Sequence, residues 1–396
     1  MEINEKAYKL GSNRSVIREL FEYAKKRSAE VGADNVFDFS IGNPSVEPPE
    51  IVSQTITELL KTENAVALHS YTSAQGDPGT RKAVADSINR RFGLNLSPDN
   101  IYMTCGAAAS LTISLKAVLN PGEECIVFAP FFTEYTVFIE NAGGVVVQSK
   151  PTDDMQIDLD DFKSKINKNT RAVIINSPNN PSGVVYPAET VKKLCDILKA
   201  KETEYGKTIY LIADEPYREL VYESVTVPYV MNYYDDSIVC YSFSKTLSLP
   251  GERIGYIAVN PNMKDGKNVY LAVCGAGRML GFVCAPSLFQ HVIKRCIDAK
   301  VNVDVYKANR DMLYNALTEY GYTCVKPDGA FYLFVKTLEK DAVKFSERAK
   351  GKDLLVVPCD DFGVKGYVRI AYCVAADTIK RALPKFKELI TEYKLN

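Results

Sequence analysis

Short apolar runs that end in small or polar residues are the feature of this sequence that most constrains its fold. Residues 172–176 are apolar at four successive positions before Asn176, which is typical of an interior strand of a parallel sheet that is covered on both faces. Residues 210–213 and 238–242 also favour buried strands. Open α/β sheets hold their ligands beyond the carboxyl ends of such strands, so the residues that follow them are candidates for a functional site.

Lys245 follows one of these strands, in a segment that also contains Ser242, Ser244 and Arg253. A lysine can form a Schiff base with a carbonyl if its ammonium loses a proton near neutral pH, and burial or a neighbouring cation such as Arg253 favours that loss. Two hydroxyls and a guanidinium suit a phosphate ester. Aldehyde and phosphate together indicate pyridoxal phosphate, although a lone Ser-x-Ser-Lys is more often a solvated loop.

Ser-x-Ser-Lys followed by Arg-x-Gly-Tyr resembles the cofactor-lysine signature of the class I and II aminotransferases. This is the aspartate aminotransferase superfamily of fold type I pyridoxal phosphate enzymes. Further motifs match in family order from Gly42 to Arg369, which is nearly the whole chain. Each motif alone is weak, but their joint occurrence at strand ends supports the resemblance.

The resemblance implies a complete cofactor site with pyridoxal 5′-phosphate bound covalently to Lys245. Small residues at the turn from a strand into a helix suit a phosphate, because free backbone N–H groups and the positive helix end meet there. A carboxylate at the end of a buried strand is costly unless it is paired, and a protonated pyridine nitrogen is such a partner for Asp214. The resemblance assigns the phosphate to Gly106, Ala107, Ala108, Ser242, Ser244 and Arg253, the ring face to Phe132, and the phenolic oxygen to Asn180 and Tyr217.

On the substrate side, the resemblance places Gly42 and Asn180 near the α-carboxylate, which Arg369 binds through two parallel hydrogen bonds. The lysine that holds the distal carboxylate in one subgroup of aspartate aminotransferases is absent, because Ala108 stands there. Arg278 lies near the place from which other members send an arginine across the dimer interface. It is equally explained as a surface or phosphate-side arginine, so aspartate or glutamate is only favoured as substrate.

The fold implied is an α/β large domain, residues 50–290, with a mainly parallel seven-stranded sheet flanked by helices. A smaller α+β domain combines residues 1–49 and 291–396. We expect an amphipathic helix from Val16 to Arg27 and one long helical stretch after Pro286. The resemblance also implies a homodimer with shared active sites, in which Tyr71 reaches the cofactor phosphate of the partner.

Composition excludes several other classes of protein. With 46% hydrophobic and 24% charged residues and a net charge of −1, the sequence indicates a soluble globular protein without the basic excess of nucleic-acid binders. No apolar run is long enough for a membrane span, and the charged start is not a secretory signal. Ten scattered cysteines and two histidines predict reduced thiols, a cytoplasmic location and no metal site.

The chemistry implied is a two-stage transamination between an L-amino acid and a 2-oxo acid, with Lys245 as general base and then acid. A C–S β-lyase of the same fold stays open, because the same residues serve any reaction that begins with removal of the α-proton. A non-enzymatic regulator is disfavoured, since the roughly 40 residues before Gly42 hold no basic recognition helix.

Overall fold

The computed structural model describes residues 2–12 and 16–395 and contains thirteen strands and fifteen α-helices in those ranges. The strands are β1 Phe37–Asp38, β2 Ile101–Thr104, β3 Glu124–Phe128, β4 Val145–Ser149, β5 Thr170–Asn176, β6 Tyr210–Asp214, β7 Ser237–Ser242, β8 Gly255–Val259, β9 Cys324–Val325, β10 Tyr332–Lys336, β11 Leu354–Leu355, β12 Val357–Pro358 and β13 Tyr367–Ala371. The helices are α1 Glu5–Ser12, α2 Val16–Val31, α3 Glu50–Thr62, α4 Ala65–His69, α5 Pro78–Phe92, α6 Ala107–Val118, α7 Glu134–Ala142, α8 Leu159–Lys165, α9 Ala188–Tyr205, α10 Phe243–Thr246, α11 Gly266–Met279, α12 Ser287–Cys296, α13 Asp304–Tyr320, α14 Ala342–Lys350 and α15 Ala376–Leu395.

Seven strands form one sheet in the order β2-β8-β7-β6-β5-β3-β4. All neighbours from β7 to β4 are parallel, whereas β8 is antiparallel to both β7 and β2. The expectation of a mainly parallel seven-stranded sheet is therefore confirmed. Six strands point the same way, so their carboxyl ends meet at one edge of the sheet.

The central strands are buried because helices cover both faces of the sheet. Ile174 of β5 and Ile212 of β6 pack into one core together with residues of α6, α7 and α11. Val173 of β5 and Leu211 of β6 point the other way, into a second core with residues of α5, α9 and α12. This alternation explains why strands that are apolar at every position form here, since each face meets a helical layer.

A second sheet, β12-β13-β10-β9, is antiparallel throughout, and one of its faces packs in a core of its own. That core contains Phe39 from the N-terminal segment beside Phe386 and Leu389 of α15. The β1 strand pairs in parallel with β11, so the two ends of the chain meet. The division into residues 50–290 and the two flanking segments stays a prediction.

The structure corrects two local expectations. The helical stretch after Pro286 is two helices, α12 and α13, because the backbone leaves the helix between them and Val301 N–H donates to Thr246 O at 3.1 Å. The sequence pattern of residues 36–41 predicts a short strand before Gly42, but the strand is limited to Phe37 and Asp38, because β11 offers only two partner residues. In the described ranges, no helix is long and apolar enough to cross a bilayer.

Candidate active site

A cavity of about 370 Å³ opens at the edge of the large sheet where the parallel strands end. The strand-end residues converge there because β2, β3, β5, β6 and β7 run in the same direction. Twelve of the residues selected from the sequence line this cavity: Gly42, Ala107, Ala108, Phe132, Asn180, Asp214, Tyr217, Ser242, Ser244, Lys245, Arg253 and Arg369.

Lys245 lies in the short helix α10 directly after β7, and its Nζ donates to the carbonyl of Gly42 at 2.6 Å. Burial, with smaller contributions from the nearby Arg369 and Arg253, lowers the pKa of Lys245 to about 8 against the opposing effect of Cys373. The neutral amine is therefore accessible near physiological pH. This arrangement provides the nucleophilic and basic lysine that a Schiff-base enzyme requires.

Asp214 is the last residue of β6 and is buried. Its Oδ2 accepts a hydrogen bond from the Tyr135 hydroxyl at 2.5 Å, whereas Oδ1 is buried and has no partner in the described part of the chain. Burial raises the pKa of Asp214 to about 7 despite that hydrogen bond. A buried carboxylate oxygen without a partner requires a cation or a donor from a ligand.

A phosphate-sized cradle lies between the first turn of α6 and the segment after β7. Gly106 precedes α6 with φ of 90°, and a Cβ there would lie 2.7 Å from Nη2 of Arg253. The hydroxyls of Ser242 and Ser244 are 2.7 Å apart, and Arg253 Nη1 donates to Ser244 Oγ at 3.5 Å. Hydroxyls, a guanidinium and a helix N-terminus thus converge on one point.

Arg369 of β13 is buried beside Asn180, which follows β5. Its Nη1 donates to Asn180 Oδ1 at 3.1 Å and its Nη2 to the carbonyl of Ser40 at 2.6 Å. The Nε atom is buried without a partner among the described residues. A guanidinium with a free buried donor suits a carboxylate ligand.

Three of the selected residues do not line the cavity in this chain. Gly106 lies in the cradle directly before α6. Tyr71 is 96% exposed, between α4 and α5. Arg278 is exposed near the end of α11. Both positions leave these side chains free to meet a second molecule, and neither touches the cavity of its own chain.

Seven contributors to the site were missed by sequence reasoning. Tyr135 donates a hydrogen bond to Asp214, and six further residues line the cavity: Ile17, Ile41, Leu111, Pro216, Pro250 and Tyr332. Tyr135 lies three residues after the selected Phe132, so the sequence indicated its position but not its contact with Asp214. Tyr332 ends residues 327–332, a segment similar to the family's Pro-x-Gly-x-Phe-Tyr motif, from which no site residue was selected. Ile17 comes from α2, which is distant in sequence, and no signal in the sequence indicated it.

The site therefore defines a class of protein, an α/β enzyme with a reactive lysine between an anion cradle and a carboxylate-binding arginine. A sequence profile described as "Aminotransferase class I and II" matches residues 34–386, so the chain belongs to that family. It is an aminotransferase, and members of this family generally use pyridoxal phosphate. The sequence resemblance and the fold type are thereby confirmed.

Individual relatives agree with this assignment. A solved structure titled as an amino transferase from Eubacterium rectale is 55% identical, with a TM-score of 0.97 and coverage of 99% of both chains. The structure of Thermus thermophilus aspartate aminotransferase with maleate is 26% identical, with a TM-score of 0.86, and the match covers 98% of this chain and 100% of that one. A probable aspartate aminotransferase of Methanocaldococcus jannaschii is 29% identical over 95% of this chain and 96% of its own length.

Proposed function

We propose that this aminotransferase carries pyridoxal 5′-phosphate on Lys245 and transfers the amino group of a dicarboxylic amino acid to a 2-oxo acid. The observation that carries the cofactor assignment is that two buried atoms without a partner among the described residues, Asp214 Oδ1 and Arg369 Nε, belong to side chains that line one cavity together with Lys245. The first needs a cation and the second needs an anion, and both would be costly without a ligand.

The residues present fit this cofactor at each of its functional groups. The turn at Gly106 with Ser242, Ser244 and Arg253 would hold the phosphate. Asp214 would pair with the pyridine nitrogen and keep it protonated. The cofactor, when bound, supplies an aldehyde carbon for Lys245 and an aromatic ring that accepts the electrons of the substrate's Cα–H bond.

Phe132, Asn180 and Tyr217 complete the assignment. All three line the cavity. Phe132 follows β3 and is only partly buried, so it can cover a ring. The amide of Asn180 and the phenol of Tyr217 are candidate donors to the cofactor's phenolic oxygen, with the amide oxygen of Asn180 already used by Arg369.

Lys245 would move the proton that transamination requires. With a pKa lowered to about 8 mainly by burial, its amine can take the α-proton of the amino donor and return it to the cofactor's C4′ carbon. Arg369 would hold the donor's α-carboxylate and so orient the Cα–H bond toward this amine. The same residues would act in reverse on the 2-oxo acid.

We assign aspartate or glutamate as the amino donor and 2-oxoglutarate as the acceptor. Support comes from relatives named as aspartate aminotransferases. Because Arg278 is exposed and outside its own cavity, it would contact the distal carboxylate in the site of a second copy. An amino-acid panel with wild type and Arg278→Ala checks this: the variant should lose dicarboxylic donors first, and a preference for aromatic or aliphatic donors would refute it.

We further propose a cytoplasmic homodimer with shared sites. The exposed Tyr71 lies beside Val283, which is 47% exposed, and both line a surface pocket that suits a second copy. Mixing inactive Lys245→Ala with inactive Tyr71→Phe should restore activity in hybrid dimers that contain one intact site. If Tyr71 acts within its own chain, the mixture stays at the level of the parents.

The hypothesis of a C–S lyase finds no support, since the relatives above carry aminotransferase names.

The central test is the Lys245→Ala variant, with Lys267→Ala as an exposed lysine control. Wild type and the control should show a visible absorption band with pyridoxal phosphate, and borohydride reduction followed by peptide mapping should label Lys245. Label on another lysine, or turnover by Lys245→Ala at the wild-type rate, would refute the proposal.

A further inference from the structure

Tyr332 lies where three parts of the site meet, although neither the sequence motif nor the family resemblance gave it a role. It begins β10, is buried and lines the cavity. Its hydroxyl is 2.8 Å from the hydroxyl of Tyr217, and the guanidinium of Arg369 lies 4.5 Å from its ring centroid. A Cβ on Gly42 would be 2.0 Å from the same hydroxyl.

The hydroxyls of Tyr217 and Tyr332 have two hydrogens between them, but the hydrogen bond that joins them uses only one. Each phenol carries one O–H, and a single hydrogen lies between Tyr217 and Tyr332. Within residues 2–12 and 16–395, neither hydroxyl has a second hydrogen-bond partner. The remaining hydrogen lies in a buried cavity, where an unpaired donor is costly, so it indicates an acceptor on a ligand.

The surroundings determine which phenol donates to the other. Burial raises the pKa of both phenols and the cation of Arg369 opposes the rise at both, but it is the ring of Tyr332 that has the guanidinium 4.5 Å from its centroid. A cation over the ring makes a phenol more acidic, so we assign Tyr332 as the donor to Tyr217. The hydrogen of Tyr217 is left to donate into the cavity.

We propose that Tyr332 is a positioning residue that couples the carboxylate end of the site to the cofactor end, by donating to Tyr217 while its ring faces Arg369. The inference rests on the proposed function, because the acceptor for Tyr217 is the phenolic oxygen of pyridoxal phosphate. A hydrogen bond received by a donor strengthens the bond that it gives, so Tyr332 makes Tyr217 a stronger donor to that oxygen. A carboxylate paired with Arg369 would screen the cation over the Tyr332 ring and weaken this effect.

Other titratable groups face this pair and stay in place in the test. Asp214 faces Tyr217, and Cys373 faces Tyr332. Neither is altered by removing one phenolic oxygen. The Tyr332→Phe variant therefore isolates the hydroxyl, since it keeps the ring that Arg369 contacts.

The experiment titrates the visible absorption band of the pyridoxal phosphate-loaded protein, with and without acetate as the carboxylate probe. The expected midpoint of Tyr332→Phe is a few tenths of a pH unit above that of wild type, because the anionic phenolic oxygen is less stabilised. Acetate should raise the wild-type midpoint, and this rise should be smaller in the variant. The control is Tyr372→Phe, which removes one hydroxyl from another buried tyrosine pair, Tyr372 and Tyr222 at 3.2 Å, outside the cavity.

The outcomes separate the inference from the function on which it rests. If the midpoint and the acetate effect of Tyr332→Phe equal those of Tyr372→Phe, Tyr332 has only a packing role and the coupling is refuted. If wild type forms no visible band, the proposed function fails and the inference fails with it. Thermal unfolding of the cofactor-free variants checks that both substitutions cost the fold similar stability.

Discussion

Replacing Asp214 by asparagine should stabilise the cofactor-free protein and destabilise the loaded one. Burial raises the pKa of Asp214 from 3.8 to about 7. The unfolded chain therefore releases this proton at lower pH than the folded chain, which holds more protons between the two values. Because the folded state binds more protons, the contribution of Asp214 to stability is fully present below pH 3.8 and is lost as the pH rises through 7.

The magnitude follows from the two pKa values. At 1.36 kcal/mol per pKa unit, Asp214 in the empty site costs about 4 kcal/mol above pH 8, where it is ionised, and about 2 kcal/mol at pH 5, where the folded chain must protonate it. Asparagine has no charge and keeps an oxygen that can accept from Tyr135. Asp214→Asn should therefore have a higher free energy of unfolding than wild type, and the difference should grow from pH 5 to pH 8.

Chemical denaturation of both proteins at pH 5 and pH 8.5, without cofactor, measures this difference. Asp99→Asn is the control, because that side chain is 88% exposed and a surface ion pair such as the one with Arg81 contributes little to stability. Tyr135→Phe removes the hydrogen bond that lowers the pKa of Asp214, so it should move the loss of stability to higher pH. Adding pyridoxal phosphate should reverse the order of wild type and Asp214→Asn, since the pyridinium then pairs with the carboxylate.

A pH-independent difference between wild type and Asp214→Asn would refute this reasoning, because a lost contact alone has no such dependence. An equal pH dependence in the control Asp99→Asn would also refute it. If pyridoxal phosphate stabilises both proteins equally, Asp214 is not the partner of the pyridine nitrogen.

Two other substitutions test the packing around the site. Arg218→Ala should lower the unfolding free energy by roughly 3–5 kcal/mol in denaturation, because it leaves the buried carboxylate of Glu215 without its paired guanidinium, and a loss below 1 kcal/mol would contradict that pairing. Gly42→Ala should reduce turnover at least tenfold by displacing the Tyr332 hydroxyl, which would lie 2.0 Å from the new Cβ, and the double variant Gly42→Ala, Tyr332→Phe should recover part of that loss in steady-state assays.

Local patterns in the sequence predicted much of the fold. Apolar runs such as residues 172–176 marked buried strands, since each side chain of such a strand must be covered. Their ends marked the site, because parallel strands present their carboxyl ends on one edge. The sequence therefore placed the motifs around Asn180, Asp214 and Lys245 at the ends of strands, and the family resemblance supplied their roles.

Contacts between distant segments were decided only by tertiary structure. Ile17 and Tyr332 come from opposite ends of the chain and meet the strand ends in the same cavity. The break between α12 and α13 occurs because Val301 N–H bonds to the backbone of Thr246, beside the reactive lysine. The spacing of apolar residues indicates which face of a helix or strand is apolar, but it does not indicate which other element covers that face.

The state of the reactive groups also depended on the fold. The sequence by itself determined that a lysine, an aspartate and an arginine follow or occupy buried strands, because hydrophobic pattern and turn chemistry are local properties. Only the tertiary structure decided that Lys245 is partly desolvated near two arginines, that Tyr135 reaches Asp214, and that Tyr71 and Arg278 point away from their own cavity. Desolvation and charge act through space over a few ångströms, so they are set by neighbours that sequence distance does not reveal.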